Sequence, residues 1–430
     1  MKRTKLFTKT SKTVPAGEVA RNAQLLIQAG FIHKEMAGAY AFLPLGLRVI
    51  EKIKNIVREE MNAIGGQELM MTTLQPRELF ERTNRWDDAV VDNWFKTKLA
   101  NGTELGLGLT HEEPIVMTVG EYAQSYKDLP LYVYQIAPKF RNELRAKSGI
   151  LRGREFLMKD MYSFARSKAE HDELYEKAAA AYTRMFDRLG IGDRTFRTKA
   201  DGGYFTDDYS DEYQTLSDVG EDIIYLDEEK KIAINKEVYT DETVAKLGLD
   251  KSKLVEKRSI EAGNIFPLET KYTDGLDVYY TDENGERQSI IMGCYGIGIS
   301  RTMGILAEVF ADDKGLVWPS NVAPFQVYLI NIGEDETVVK KTAELYEELN
   351  KQRIEVLWDD RPEARPGEKF ADADLMGIPW RVVVSGKTLD KNGFELKARI
   401  SDEILDVEPS ELMLKILDQK FNEENVEELI

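Results

Sequence analysis

The sequence predicts an α+β domain with a mainly antiparallel sheet, followed by a smaller α/β domain with a mixed sheet. Three observations carry that expectation. Two apolar runs, LYVYQIA (131–137) and REFLMKDMYSF (154–164), flank a polar, glycine-containing segment and read as antiparallel strands joined by a long loop. After Trp318-Pro319 the pattern changes to strand–helix alternation, the mark of an α/β unit. The 430 residues exceed what one ordinary core holds, so two domains are expected, 1–320 and 321–430.

Taken in order, residues 46–64 read as an amphipathic helix, with Leu47, Ile50, Ile53, Val57, Met61 and Ile64 at helical spacing. Gly65-Gly66 ends it, and a strand-like ELMMTTL follows. Residues 166–189 form a polar-faced helix. The stretch 227–259 is highly charged with little apolar periodicity, and reads as a surface insertion or small satellite. QSIIMGC (288–294) is a strand, and GIGISRTMGILAEVF (296–310) a helix entered through glycines. Beyond the boundary QVYLINI, IEVLWDD and WRVVVSG are strands. Helices are expected over ETVVKKTAELYEELNKQ, near 368–376 and near 409–419. DQKFNEENVEELI closes the chain as an acidic tail or final helix.

Composition excludes several classes. No run approaches the roughly 18 apolar residues of a membrane-spanning helix, and the basic N-terminus lacks the apolar stretch of a secretory signal. A single cysteine, Cys294, leaves no disulfide framework and no thiolate zinc site. His33, His111 and His171 are scattered without metal-ligand spacing. A reducing cytoplasm fits. The net charge of −18, from 58 basic and 76 acidic residues, argues against nonspecific coating of nucleic acid. Specific binding rests on local basic patches instead.

The common nucleotide motifs fail. SGKT (385–388) resembles the end of a phosphate loop, but Arg381 stands where that loop needs glycine. GIG (296–298) is half of a dinucleotide fingerprint that meets Arg301 instead of its last glycine. Both read as turns. There is no Ser-His-Asp signature and no HExxH. What remains is PKFRNELRAKSGILRGREFLMKD (138–160), which carries Arg141, Arg145, Lys147, Arg152, Arg154 and Lys159. Alternation puts Arg141 and Glu143 on one sheet face, where Phe156 of the partner strand can join them. An arginine for phosphate, a ring for a base and a carboxylate for an exocyclic amine together suit a nucleotide.

The segment FRNE…RGREF resembles motif 2 of the class II aminoacyl-tRNA synthetases, and GCYGIGISR (293–301) resembles motif 3, both with the spacing of the prolyl branch. THEE (110–113) looks like that branch's amino-acid recognition loop, and SDEYQTLSDVGED (210–222) like its second substrate segment. GLRVIEKIKNIVREEM…ELMMTTLQP is similar to motif 1. DDRPEARPGEKFADADLMGIPWRVVV is similar to the anticodon-binding domain. These blocks run in order from about residue 15 to residue 400.

The resemblance implies an ATP-dependent ligase that activates L-proline and charges the tRNA for proline, as a homodimer using ATP with Mg2+ and no zinc. It assigns Arg141 to the ATP α-phosphate and the proline carboxylate. Glu143 takes the adenine amino group and Phe156 stacks on the ring. Arg152 and Arg301 grip the β- and γ-phosphates, and Gln214 lines the ATP side. Thr110 and Glu112 hold the protonated ring nitrogen, and Cys294 walls the proline pocket or is simply a core thiol. His111 is read as structural. Arg361, Arg365 and Lys369 are candidate tRNA contacts in the anticodon region. Adenylate formation needs no protein nucleophile, only positioning and stabilised phosphate charge, so the lack of a catalytic histidine is expected.

Two departures from the family pattern follow. Thr72 stands where motif 1 usually has proline. Bacterial members often carry a large editing domain between motifs 2 and 3, whereas here only 227–259 occupies that place, so no editing in cis is expected.

Overall fold

The computed structural model describes residues 1–146, 148–206 and 208–417. Lys147 and the acidic tail DQKFNEENVEELI fall outside the described residues. The described chain forms two compact units. One comprises 36–39 and 53–305; the other gathers 1–35, 40–52 and the residues from 306 onward. These units are not consecutive along the chain, because the N-terminal segments pack with the residues from 306 onward.

The first unit is built on nine strands. They are β1 (Gly66–Glu68), β2 (Leu131–Phe140), β3 (Glu155–Ala165), β4 (Thr195–Ala200), β5 (Ser210–Leu216), β6 (Asp222–Asp227), β7 (Ile232–Asn235), β8 (Val255–Glu269) and β9 (Ile291–Gly298). Their order is β5-β4-β7-β6-β8-β9-β3-β2-β1. The expected pair β2 and β3 is antiparallel, with Gln135 opposite Asp160 and Lys139 opposite Phe156. Only β1 on β2 and β7 on β4 run parallel. One face carries the helix Lys168–Arg188, which buries Ala178, Tyr182 and Met185. The other carries the helix Glu112–Tyr122 through Ile115, Val116 and Val119, packed with Phe164, Tyr272 and Met292. Burying both faces explains the near-continuous apolar character of β9.

Two expectations are corrected here. The glycines of GCYGIG are strand residues, not a turn into the helix, which spans Ile299–Val309. At Gly293 a Cβ would come within 2.4 Å of the Tyr295 hydroxyl, and at Gly296 within 2.7 Å of Asn264 Oδ1, so the strand needs glycine for close packing. Secondly, the charged stretch 227–259 is no satellite. It contributes β7 and the start of β8 to the sheet, and β5 also pairs with β8. The pairings β5-β4-β7-β6-β8-β5 thus close into a ring. Ile234, Val238, Val244 and Leu249 give this stretch its own buried cluster. Its strands are too short, and its helix Asp241–Lys246 too brief, to leave a readable period.

The second unit carries a five-stranded mixed sheet: β10 (Val327–Ile332), β11 (Val356–Asp359), β12 (Trp380–Ser385), β13 (Phe394–Ala398) and β14 (Leu405–Val407), in the order β11-β10-β12-β13-β14. β10 runs parallel to β11 and β12, through the helices Glu336–Lys351 and Pro366–Met376, and the last two strands return antiparallel. SGKT is neither a phosphate loop nor a plain turn: Ser385 ends β12 and caps the short helix Gly386–Asp390. The N-terminal residues join this unit through specific bonds. Trp358 N donates to Met1 O, Thr10 Oγ1 donates to Asp372, and Arg48 and Lys52 both pair with Glu355. No composition shift marks such a return of the chain, so the sequence carried no signal for it.

Candidate active site

The motif 2 loop leaves β2 at Phe140 and re-enters at β3. Arg141 N still donates to Arg154 O at 2.9 Å, but Arg141 and Glu143 lie past the strand rather than on it. Their alternation on one sheet face is therefore not realised. Arg154 anchors the loop: its Nε donates to Glu143 O at 2.9 Å and its Nη1 to Ala37 O at 3.0 Å. Gly38 lets the backbones close, since a Cβ there would lie 2.9 Å from Arg154 N at a φ of +78°. The Arg141 guanidinium sits 5.4 Å from the Phe156 ring, so this expected pair does meet. Glu143 stands at the edge, accepting a long 3.5 Å bond from Asn93.

Arg152 and Arg301 line one cavity with Asp222, Glu221 and Glu261. Arg301 lies on the helix after β9. Its Nε donates to Leu151 O at 2.9 Å, and its Nη1 donates at 2.8 Å to both the carbonyl and the carboxylate of Glu261. Arg152 pairs with Glu221 at 3.0 Å. Gln214, fully buried, is the register partner of Glu261, and its Nε2 donates to Glu212 at 2.8 Å and to Asp222 at 2.9 Å. Asn235, from the charged stretch, also donates to Glu212. Burial and the Glu261 charge push the Glu212 carboxyl up to about 8. Burial acts against the Glu261 carboxylate too, but Arg301, and more weakly Arg141, hold its carboxyl below the usual range. The sequence did not single out Glu261, which reaches Arg301 only through the register of β8, nor Asp222 and Glu212 within the segment 210–222.

Thr110, Glu112 and Cys294 converge in a second, buried cluster. Thr110 Oγ1 donates to Glu112 at 2.6 Å, and the Cys294 thiol lies 3.4 Å from Glu112 Oε1. Burial and Glu112 push that thiol well above the usual range, so it stays neutral and donates. Glu112 does not stand alone. Arg85 Nη1 donates to it at 3.0 Å and to Glu113 at 3.2 Å. Arg85 was not singled out by the sequence, and Glu113 stood in the THEE block without a role of its own; acids in a helix's first turn need no partner cation, so spacing gave no pointer to Arg85.

Beneath this cluster Lys139, fully buried, pairs with Asp160 at 2.7 Å and approaches His111 Nδ1 at 2.9 Å. His111 Nε2 lies 3.1 Å from Thr72 O. Burial and Lys139 lower the imidazole to about 4, so His111 is a neutral prop and not a proton shuttle at neutral pH.

In the second unit the three tRNA candidates line one cavity of about 590 Å3 with Trp358, but two of them spend their cations internally. Arg361 forks onto Asp359 at 2.8 and 2.6 Å and reaches Asp372 at 2.7 Å. Lys369 is buried, with Nζ donating to the carbonyls of Asn331 and Asp359 at 3.2 Å. Of the three, Arg365 is the exposed one.

Residues 95–310 match the tRNA synthetase class II core domain (G, H, P, S and T), and residues 326–419 match the anticodon binding domain. The proline–tRNA ligase of Geobacillus kaustophilus is 33% identical, with 96% of this chain and 98% of the relative covered. The chain belongs to the proline–tRNA ligase family. Its likeness to the family member from Bacillus cytotoxicus is 32%, over 97% of this chain and all of the relative. The Geobacillus alignment spans 563 positions against the 430 residues here, which leaves at least 133 positions of that ligase facing a gap. The fold is shared with the prolyl-tRNA synthetase of Cryptosporidium parvum solved with halofuginone and AMPPNP, at a TM-score of 0.78 and 20% identity, covering 95% of this chain and 78% of that one.

Proposed function

We propose that this chain activates L-proline with ATP to prolyl-adenylate and transfers the prolyl group to the 3′ end of the tRNA for proline. What supports this reading is that Thr110, Glu112 and Cys294 converge in a buried carboxylate cluster suited to a cationic amine, while Arg152 and Arg301 line one cavity suited to phosphates.

In the first step a proline carboxylate oxygen bonds to the α-phosphorus and the α–β bridging bond breaks, releasing diphosphate. Arg141 would neutralise the carboxylate and the α-phosphate as they meet, and Phe156 would stack on adenine. Arg152 and Arg301 would take the leaving phosphates, exchanging Glu221 and Glu261 for them. Thr110 and Glu112 would receive the ring nitrogen against the wall made by Cys294. In the second step the terminal ribose hydroxyl attacks the acyl carbon and AMP leaves. Mg2+ would arrive with ATP and shield its phosphates. Among the described residues no group of three or more His, Cys, Asp and Glu is disposed to hold a metal by itself. Glu261 and Glu212, half-buried hard oxygen donors that repel one another, fit a cation brought by the nucleotide.

We also read the chain as a cytoplasmic homodimer without editing in cis. What supports the last point is that 227–259 folds into the catalytic sheet, leaving no separate hydrolytic body there among the described residues. No described helix is long and apolar enough to cross a membrane. Pyrophosphate exchange with each amino acid in turn tests the main reading. Exchange driven by proline is expected, and exchange driven by threonine, glycine or histidine instead would overturn it.

A further inference from the structure

The two adjacent glutamates of the buried Thr110–Cys294 cluster share one arginine. Arg85 is 2% exposed and both glutamates are fully buried. All the polar bonds recorded for the Arg85 guanidinium run through Nη1, to Glu112 at 3.0 Å, to both oxygens of Glu113 at 3.2 Å and to Tyr272 Oη at 3.1 Å. The rings of Tyr204, Phe205 and Tyr272 stand 5.3–5.4 Å from Cζ. Glu113 turns away from the cluster, where Thr83 Oγ1 donates to it at 2.7 Å. Glu112 turns toward Thr110 and Cys294.

Charge does not balance around the two glutamates. The buried cations near them are Arg85, Lys139 and Lys159, and the buried carboxylates are Glu112, Glu113 and Asp160. Lys159 bonds Tyr182 Oη and Tyr295 O rather than a carboxylate, and burial brings its ammonium down to about 7. Lys139 is taken by Asp160. His111 is held neutral, because its Nε2 faces the Thr72 carbonyl and its Nδ1 faces the Lys139 ammonium. The Cys294 thiol and the Tyr162 and Tyr272 hydroxyls are pushed upward by burial and stay neutral. Glu112 and Glu113 are left with the single Arg85 cation between them in a dry site, which favours taking up a cation. The raised Glu113 carboxyl, due to burial and, against the Arg85 charge, to Glu112, is another sign of that excess.

We propose that Arg85 and Glu113 are positioning residues for amino-acid recognition: Glu113 draws on the one Arg85 charge, so Glu112 stays only partly compensated, which sets affinity for a cationic ring nitrogen. The proposal rests on the proline reading above. It makes a prediction of unusual sign. Glu113→Gln removes no group that touches substrate, yet it lets Arg85 compensate Glu112 fully, so the KM for proline should rise about tenfold or more while the KM for ATP stays within about twofold. Adding Arg85→Met to Glu113→Gln restores the single negative charge, and the double variant should bind proline better than Glu113→Gln alone. A purely structural role predicts the reverse, because the double variant loses more bonds than either single one.

The experiment is proline-dependent pyrophosphate exchange on the full chain, with KM and kcat measured for both substrates and folding followed by thermal melting. An unchanged proline KM in Glu113→Gln, or a double variant no better than the single one, overturns the proposal. If the double variant does not fold, Arg85→Lys replaces it: keeping the charge should hold the proline KM within about threefold, and a rise as large as that of Glu113→Gln would sink the idea. Wild-type protein that shows no proline-dependent exchange at all removes the underlying reading, a result distinct from any of these.

Discussion

Arg301 holds Glu261 twice, donating from Nη1 to its carbonyl and to its carboxylate at 2.8 Å each, and in the reading proposed above ATP phosphates would displace that acid. Loss of the Arg301 cation should remove transition-state charge stabilisation specifically. Arg301→Ala is expected to lower proline-dependent pyrophosphate exchange by about 10²–10³-fold, while tRNA binding in a gel-shift titration stays close to wild type. Equal losses in both would place Arg301 in folding instead.

The pH dependence of the nucleotide-free protein should report Glu212. Burial first, and Glu261 second, raise its carboxyl from 4.5 to about 8. The folded state therefore binds the proton more tightly than the unfolded one. The stability this contributes is fully present below pH 4.5 and is lost as pH rises toward 8. Thermal melts should show a falling Tm across that window, and Glu212→Gln should flatten the fall. Identical slopes in the two proteins would contradict this.

Lys139→Met should strand Asp160, which is 2% exposed and otherwise bonded to Gln135 and Tyr162. Removing one member of a buried ion pair costs about 3–5 kcal/mol. The urea midpoint is the measurement, and Lys139→Met with Asp160→Asn should recover part of the loss.

The anticodon-region candidates separate by stability. Arg361→Ala leaves the fully buried Asp359 without its fork partner, so about 2–4 kcal/mol of stability should go. Arg365→Ala should cost under about 0.5 kcal/mol yet weaken tRNA binding and lower the salt slope by about one. The pair of urea curves and a salt titration of tRNA affinity distinguish the two roles.

Alanine is the fidelity test. A pocket sized for proline gains only about 1–3 kcal/mol against a smaller side chain, so mischarging with alanine is expected. Incubated with alanyl-tRNA for proline, the protein should not accelerate deacylation; rapid release of alanine would refute the absence of editing in cis.

Much of this was readable in the chain itself. Strand period and glycine punctuation marked β2, β3 and β9, and the order of six family blocks pointed to adenylate chemistry through Arg141, Arg152 and Arg301. Those signals are local, written within a few residues of one another. The tertiary structure alone decided what each group faces. It put Arg85 against Glu112, some 27 residues along the chain, and Glu261 against Arg301 through a strand register no spacing encodes. It folded the charged stretch 227–259 into a closed ring of strands and turned Arg361 and Lys369 inward. The physical reason is the same throughout. A side chain's type and spacing set what it is able to bind, but burial and the opposite charge delivered by a distant segment set what it has left to offer a substrate.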